Sequence, residues 1–189
     1  MRQLVYYVAV TLDGFIAEPD GSFDAFLVDG DHAEVVFGEY GDALPGHVHA
    51  ALGTTPPGTH FDTVLMGWNT LKPALDAGIA SPYPHLRQIV ATGSPRDHDP
   101  SIELTHDPVS TVVALKQQDG LDVWLCGGGE LAGSLLPHID RLVLKRNPVA
   151  FGAGIPLFGR SRSSPVRFDL TGTRSFESGV VIEEYELPH

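Results

Sequence analysis

The chain has 189 residues, of which 42% are hydrophobic, and this length favours a single domain with a substantial core. Its formal net charge of −12 argues against nucleic acid as a partner, because contact with phosphate backbones needs clustered Lys and Arg. The opening "MRQLVYYVAV" is too short an apolar run for a secretory signal, and no segment reaches the ~20 apolar residues of a membrane span. We therefore expect residues 1–189 to form one cytoplasmic domain without membrane contact.

Apolar runs rich in β-branched residues alternate with helical patterns, as in parallel sheets that are covered by helices on both faces. The predicted strands are 4–11, 63–67, 88–92, 122–126 and 141–148, and the predicted helices are 31–40, 69–77, 110–118 and 130–136. Segments rich in Gly, Pro, His or Asp predict loops at 41–62, 93–108 and 151–165. Near the end, the alternation in "VRFDLTGTRSFESGVVIEEYEL" predicts an antiparallel pair at the sheet edge. The predicted fold class is α/β.

The nine histidines and the one cysteine form no recognisable metal motif. No histidine pair has the H-E-x-x-H spacing, and one cysteine cannot supply a Cys/His zinc set. Cys126 ends an apolar strand, where a small buried side chain is more expected than a reactive thiol. We expect no metal site.

The stretch "VWLCGGGELAGSLL" places Gly127, Gly128 and Gly129 between a predicted strand and a predicted helix. Backbone N–H groups at such a turn can bind a phosphate where no Cβ blocks its approach. The glycines fit the G-x-G-x-x-G/A dinucleotide pattern, but they come late in the chain and lack the acid expected about 20 residues further on in an ordinary Rossmann domain. The alternative is that they only permit close packing of the helix against the sheet.

Two more strand ends carry polar residues, in "DTVLMGWNTLKPAL" and "IVATGSPRD". These residues are Gly67, Asn69, Thr70, Thr92, Ser94 and Arg96. If the three strands are neighbours, their carboxyl ends line one crevice, where open α/β sheets bind ligands. Two turns could then hold a pyrophosphate, and the third a ribose or its 2′-phosphate. The alternatives are helix capping by Thr70 and a solvated turn at Ser94 and Arg96.

Four motifs, taken in order, resemble the dihydrofolate-reductase-like superfamily. They are "YVAVTLDGFIA", "VLMGWNT", "VWLCGGGELAGSLLP" followed by "IDRLVLKRNPVAFGAGIPLF", and "VIEEYE". The branch that they resemble most is the C-terminal reductase domain of the bifunctional deaminase-reductase of riboflavin biosynthesis. The resemblance implies a mostly parallel eight-stranded sheet, a C-terminal antiparallel strand and NADPH bound in an extended pose, with NADH not excluded. It also implies hydride transfer to a pteridine or to a pyrimidine-linked ribose.

The resemblance further implies which residues hold the cofactor. One phosphate turn would comprise Gly127, Gly128, Gly129 and Glu130, and the other Gly67, Asn69 and Thr70. Thr92 and Ser94 would hold the adenosine side of the cofactor. The strand and loop beside the nicotinamide would be Val8 to Leu12 with Asp13 and Gly14. Trp68 stands where the family usually has a basic residue, so Arg96 or Arg87 would have to supply that charge. Trp68 itself could stack on the adenine or pack in the core.

The acid that serves the substrate is predicted in "DAFLVDGDHAEVVF", the region in which dihydrofolate reductases bind the pterin through a carboxylate. Asp29 and Asp31 are the candidate catalytic residues, although Asp31 is equally well placed to cap the following helix. Residues 15–60 contain no Lys or Arg, which argues against the phosphoribosyl intermediate of riboflavin biosynthesis itself.

The sequence thus predicts an NADPH-dependent reductase that acts on a small heterocycle, a pterin or a compound like 5-amino-6-(5-phosphoribosylamino)uracil. Relatives in the riboflavin branch are commonly homodimers, so we expect a homodimer. The alternative function is a binding module of the same fold that holds a nucleotide or a folate-like ligand without turnover.

Overall fold

The computed structural model describes residues 1–160 and 165–188, and ten strands lie in this part of the chain. They are β1 (Leu4–Val10), β2 (Phe15–Ala17), β3 (Phe61–Gly67), β4 (Arg87–Ala91), β5 (Ile102–Thr105), β6 (Asp122–Gly127), β7 (Arg141–Arg146), β8 (Ile155–Pro156), β9 (Asp169–Ser175) and β10 (Val181–Glu186). Eight of them form one sheet in the order β5-β4-β3-β6-β1-β7-β10-β9. The first six strands in this order pair in parallel, whereas β10 pairs antiparallel with both β7 and β9. The predicted sheet, with its antiparallel C-terminal pair, is confirmed.

Within the described ranges, five α-helices connect the strands: α1 (Ala33–Gly38), α2 (Gly46–Leu52), α3 (Trp68–Asp76), α4 (Pro108–Lys116) and α5 (Gly129–Leu135). One face of the sheet, here called the α1/α3 face, buries Val36 of α1 and Leu71 of α3. The other, the α4/α5 face, buries Leu115 of α4 and Leu135 of α5. Because the central strands are covered on both faces, they read as nearly continuous apolar runs. The α/β class with helices on both faces is therefore confirmed.

The sequence predicted some boundaries wrongly. Strand β5 lies inside the predicted loop 93–108. The sequence did not predict it because its four residues, at the edge of the sheet, are too few to show a clear period. Helix α1 begins at Ala33 with His32 in the capping position, so Asp31 is not its N-cap. The short strand β8 lies in the predicted loop 151–165 and pairs with β2. The remainder of that loop includes residues 161–164, which lie outside the described residues.

The segment 41–62 is folded rather than being an open loop. It contains a 3-10 turn at Gly41–Ala43 and helix α2, and it leads directly into β3. Asp42, which is only 1% exposed, accepts hydrogen bonds from the backbone N–H groups of Gly58, Thr59, His60 and Phe61 at 2.6 to 3.1 Å. One buried carboxylate therefore closes this segment on itself. A role of the segment in substrate cover or in a dimer contact stays a prediction.

In the described part of the chain, no helix is both long and apolar enough to cross a bilayer.

Asp42→Asn should destabilise the protein by about 2 kcal/mol, because an amide offers one acceptor oxygen where the buried carboxylate serves four backbone N–H groups. We expect urea unfolding at neutral pH to show this loss. Asp119→Asn is the matched control, since Asp119 is exposed and makes no hydrogen bond within the described residues, so its change should stay within about 0.5 kcal/mol. Equal stability of the Asp42→Asn variant and the parent would contradict this role.

The same carboxylate predicts a pH dependence. Burial would raise the pKa of Asp42, but the hydrogen bonds from His60, Phe61, Gly58 and Thr59 outweigh it and hold the pKa below its usual value. A lowered pKa in the folded state stabilises the fold above the unfolded-state pKa, and this stability is lost as the pH falls through the folded-state value. The stability difference between parent and Asp42→Asn should therefore shrink in acid, as urea unfolding at successively lower pH will measure.

Candidate functional site

Three strand ends meet at one edge of the sheet, here called the carboxyl edge. Strands β4, β3, β6 and β1 are consecutive neighbours and run parallel, so the residues that follow them lie side by side. This arrangement brings the turns after Gly67, Ala91 and Gly127 side by side at this edge, as the sequence predicted, and the space that they border is here called the crevice. Crevices of this kind are the usual ligand sites of open α/β sheets.

The three glycines of the turn between β6 and α5 meet different constraints. Gly127 has φ +133°, which a side chain rarely tolerates, and a cis peptide bond joins it to Gly128. Gly129 is packed closely, because a Cβ there would overlap the carbonyl oxygen of Pro156. Gly128 has φ −78°, and the nearest atom to a Cβ there would be Oγ1 of Thr70 at an ordinary 3.5 Å. Packing thus explains Gly129, but it does not explain Gly128.

The second turn faces the first across the crevice. The hydroxyl of Thr70, in the first turn of α3, lies 3.5 Å from the point that a Cβ on Gly128 would occupy. Gly67 has φ −80°, and a Cβ there would meet no atom within 4 Å. Neither α3 nor α5 has a side-chain cap at its start, whereas the side chain of Asp107 caps α4 and accepts from the N–H of Ser110 at 3.0 Å. Two uncapped turns therefore stand side by side around open glycine positions.

The third turn brings a positive charge to the crevice. Arg96 follows β4 and lies with its guanidinium carbon 5.2 Å from the ring centroid of Trp68, the first residue of α3. Trp68 is half-buried and packs against the core of the α1/α3 face, which supports the packing interpretation of this residue. Arg87 lies at the opposite end of β4 and makes two hydrogen bonds to Glu103, so it does not reach this turn.

Thr92 and Ser94 shape the same turn by bonding to each other. The Thr92 hydroxyl donates to the carbonyl of Ser94 at 2.9 Å, and Thr92 is buried whereas Ser94 is exposed. Asn69 is exposed at the mouth of α3. Contact of these residues with a ligand stays a prediction.

The loop after β1 is held in place by Asp13. Its carboxylate accepts from the Thr11 hydroxyl at 2.6 Å and from the N–H groups of Phe151 and Gly152 at 3.2 and 2.7 Å. The hydrogen bond from Thr11, with those from the backbone, lowers the pKa of Asp13. Gly14 has φ +86°, which the turn requires. Asp13 therefore orients the loop over the end of β1.

The other residues predicted in this region differ in exposure and bonding. Leu12 is 59% exposed, whereas Val8 is half-buried on the α4/α5 face. Glu130 accepts from the N–H of Arg160 at 3.1 Å, so its side chain holds the segment after β8.

The two candidate catalytic carboxylates have different environments. Asp31 accepts from the N–H groups of Glu177 at 2.6 Å and Ser178 at 3.1 Å, in the turn between β9 and β10. Desolvation raises the pKa of Asp31, but these hydrogen bonds lower it more, so the group is held ionised. Asp29 is exposed and makes no hydrogen bond within the described residues. The geometry therefore gives Asp31 a structural contact, and catalytic roles for both stay predictions.

His32 joins the same two segments. It is 1% exposed, with Nδ1 3.0 Å from the Ser178 hydroxyl and Nε2 3.2 Å from the carbonyl of Leu27. Both ring nitrogens are therefore occupied within the protein.

Cys126 ends β6, beside the glycine turn, and its thiol is held in the protonated form. Burial raises the pKa of its thiol to about 12, although the hydrogen bond with Tyr83 lowers it. The thiol is therefore protonated at neutral pH. In the described residues, no group of three His, Cys, Asp or Glu side chains could hold a metal ion.

Sequence reasoning missed Lys145 and Asn147, at the end of β7. Asn147 is fully buried, accepts from the N–H of Leu27 at 3.0 Å and donates to the carbonyl of Lys145 at 3.0 Å. Lys145 is half-buried, and its amine makes no hydrogen bond or ion pair within the described residues. A lysine directly after the apolar run "LVL" of a predicted strand was the signal that could have drawn attention to it.

Solved structures with a similar fold include reductases. A candidate riboflavin biosynthesis protein from Shewanella sp. PV-4 has a TM-score of 0.71 and 21% identity, covering 100% of both chains. The diaminohydroxyphosphoribosylaminopyrimidine deaminase/5-amino-6-(5-phosphoribosylamino)uracil reductase from Thermotoga maritima has a TM-score of 0.65 and 19% identity, covering 99% of this chain and 57% of its own. Dihydrofolate reductase from Enterococcus faecalis, solved with NADP(H), has a TM-score of 0.65 and 18% identity, covering 99% of this chain and 97% of its own. These likenesses confirm the dihydrofolate-reductase-like fold.

Sequence comparison identifies the family. Two proteins of Bacillus subtilis (strain 168) are similar over most of the chain. Uncharacterized protein YwjB is 31% identical over 186 residues, which cover 95% of this chain and 95% of YwjB. Uncharacterized protein YyaP is 26% identical over 194 residues, which cover 95% of this chain and 92% of YyaP. The model of the RibD C-terminal domain family matches residues 2–182. The chain therefore belongs to the RibD C-terminal domain family.

Proposed function

We propose that this protein is an NADPH-dependent reductase that transfers hydride to a small heterocyclic substrate. The observation that carries the proposal is a pair of glycines at two neighbouring turns, Gly67 and Gly128, which have ordinary negative φ angles. The fold would accommodate a Cβ at either position. Glycine there leaves room for a group that approaches the backbone closely, and a dinucleotide pyrophosphate makes such an approach.

The chain's own residues suit the parts of such a cofactor. The uncapped first turns of α3 and α5 offer backbone N–H groups, and the Thr70 hydroxyl lies between them. Arg96, held over Trp68, offers a charge at the adenosine end, where NADPH differs from NADH by a 2′-phosphate. When bound, the cofactor would supply the hydride, and the protein would orient the acceptor and exclude water.

The N-terminal segment that follows β1 exposes apolar side chains and carries no basic residue. Exposed apolar side chains follow β1 and precede α1: Leu12 (59%), Phe23 (56%), Leu27 (37%) and Val28 (70%). Between Arg2 and Lys72 there is no Lys or Arg. These features favour an unphosphorylated flat ring, such as a pterin, over a phosphoribosyl compound.

Gly128→Ala should leave the fold intact and lower the affinity for NADPH at least about tenfold, because the new methyl group occupies the space of the pyrophosphate. Gly128→Val should abolish binding. Titration of the cofactor fluorescence measures the affinity, and circular dichroism with thermal unfolding measures the fold.

Two variants serve as controls for Gly128. Gly38→Ala adds a methyl group at the exposed end of α1, where a Cβ meets no atom within 4 Å, and should bind NADPH as the parent does. Gly129→Ala should instead damage the fold, because its Cβ overlaps the Pro156 carbonyl. Unchanged affinity in Gly128→Ala would rule out this placement of the cofactor.

Arg96→Gln should raise the Kd for NADPH about tenfold and leave the Kd for NADH unchanged, since a charge-assisted hydrogen bond to the 2′-phosphate contributes about 1.5 kcal/mol or more. Isothermal titration with each cofactor measures the ratio of the two Kd values. Arg87→Gln, at the far end of β4 from Arg96, is the control and should not change the ratio. An equal loss of affinity for NADPH and NADH in Arg96→Gln would contradict recognition of the 2′-phosphate by Arg96.

A further inference from the structure

A single lysine stands at the end of the crevice opposite Arg96. Lys145 lies on β7, and its register partners are Ala9 on β1 and Ile182 on β10. Because side chains alternate along a strand, Lys145 shares the α1/α3 face with Val143, two residues earlier. Its partner Ala9 has only a methyl group and is half-buried, whereas residues 4–7 before it are buried. The face is therefore less filled at Lys145 than further down the strands.

Lys145 differs from the other two lysines of the chain. Lys72 pairs with Asp76 at 2.5 Å, and Lys116 pairs with Asp140 at 2.6 Å. The amine of Lys145 has no ion pair or hydrogen bond within the described residues, and burial lowers its pKa. A half-buried, unpaired ammonium lowers the stability of the fold. Ion pairing therefore does not explain why a lysine stands at this position.

The ionisable groups around Lys145 on this face are engaged elsewhere. They are Tyr7 on β1, Cys126 on β6, Arg141 on β7, Arg174 on β9, Glu184 on β10 and, in the covering segment, His32 and Tyr40. Glu184 accepts from Tyr40 and pairs with Arg141 and Arg174. Burial raises the pKa of Tyr7 above its usual range, so that phenol is neutral. Lys145 is therefore left as a cation without a fixed counterion.

The position of Lys145 relative to the glycine turn suits a reacting group. Strands β7, β1 and β6 are adjacent, so Lys145 and the strand that ends in Gly127 are roughly 10 Å apart, two strand spacings. A ring bound between them would lie over the end of β1. The two candidate carboxylates are placed less well, because Asp31 is bonded to the β9–β10 turn and Asp29 is exposed.

We propose that Lys145 is the proton donor of the reductase, contacting the nitrogen or oxygen of the C=N or C=O bond that accepts hydride. The inference rests on the proposed function. Hydride adds to the carbon of that bond, and the π-electron pair moves to the nitrogen or oxygen. Lys145 Nζ gives its proton to that atom, becomes a neutral amine and takes a new proton from water. The substrate is reduced by two electrons, and the dihydronicotinamide is oxidised by two.

The first test needs no substrate. Trace acetylation of the three lysines, followed by mass spectrometry, reports the reactivity of each amine at a series of pH values. Lys145 should titrate below Lys72, and saturating NADP⁺ should suppress its labelling while Lys72 and Lys116 are unaffected. If the protein binds NADP⁺ and the labelling of Lys145 does not change, the assignment is wrong. If the protein binds neither NADPH nor NADP⁺, the proposed function fails instead.

The second test uses an acceptor found by screening pterins, flavins and aminopyrimidines with the parent protein. Lys145→Met, which keeps the length of the side chain, should lower kcat about a hundredfold or more without changing the Kd for NADPH. Lys145→Arg should not restore kcat, because a guanidinium does not release its proton at these pH values. Lys72→Met is the control and should keep the parental rate.

The pH profile separates proton donation from charge alone. The parental rate should fall as the pH rises through the pKa of Lys145, because the donor must be protonated, and Lys145→Met should lose this descending limb. Full recovery of kcat in Lys145→Arg would show that only the positive charge matters and would overturn the proton-transfer role.

Discussion

The parallel pairing of β1 between β6 and β7 is the constraint on which the arrangement of the crevice depends. Its register sets Val5 beside Trp124 on one side and Ala9 beside Lys145 on the other. Because all three strands run in the same direction, the glycine turn, the loop after β1 and the end of β7 reach the same edge. Asp13 and Asn147 then fix the segments that leave this edge. Groups that are more than a hundred residues apart in the chain thus lie around one space.

The glycine turn shows that close packing and ligand access are separate demands on neighbouring residues. Gly127 is required by its positive φ, and Gly129 by the backbone of the segment that follows β8. Either demand alone would account for a glycine in a turn with no ligand. Gly128 meets neither demand, and Gly67 across the crevice is in the same situation. Two glycines that the fold does not require, at the ends of adjacent strands, are therefore a stronger indication of a bound group than the G-x-G-x-x-G/A pattern is.

The sequence predicted the central sheet and the turns at its carboxyl edge, because buried parallel strands give long apolar runs and their ends are marked by glycine. It did not predict β5, whose four residues at the sheet edge carry little periodic signal. It also described 41–62 as a loop, since the bonds that organise this segment converge on a single residue, Asp42, and leave no periodicity. Asp31 was given a cap or a catalytic role because its bonds to the β9–β10 turn join residues 146 positions apart. Local pattern reports the elements well, whereas contacts between distant loops are not encoded in any short stretch.

The distribution of charge gives the crevice its polarity. Most basic residues of this acidic chain are neutralised in ion pairs, among them Arg2 with Asp62, Arg146 with Glu183 and Arg174 with Glu39. Arg96 and Lys145 make no ion pair within the described residues, and they lie at opposite ends of the carboxyl edge. A cation left without a counterion retains its attraction for an anionic group that arrives later. The end with Arg96 suits a phosphorylated cofactor. At the other end, where the adjoining N-terminal segment is apolar or acidic, a single amine suits a substrate that gains negative charge only as it reacts.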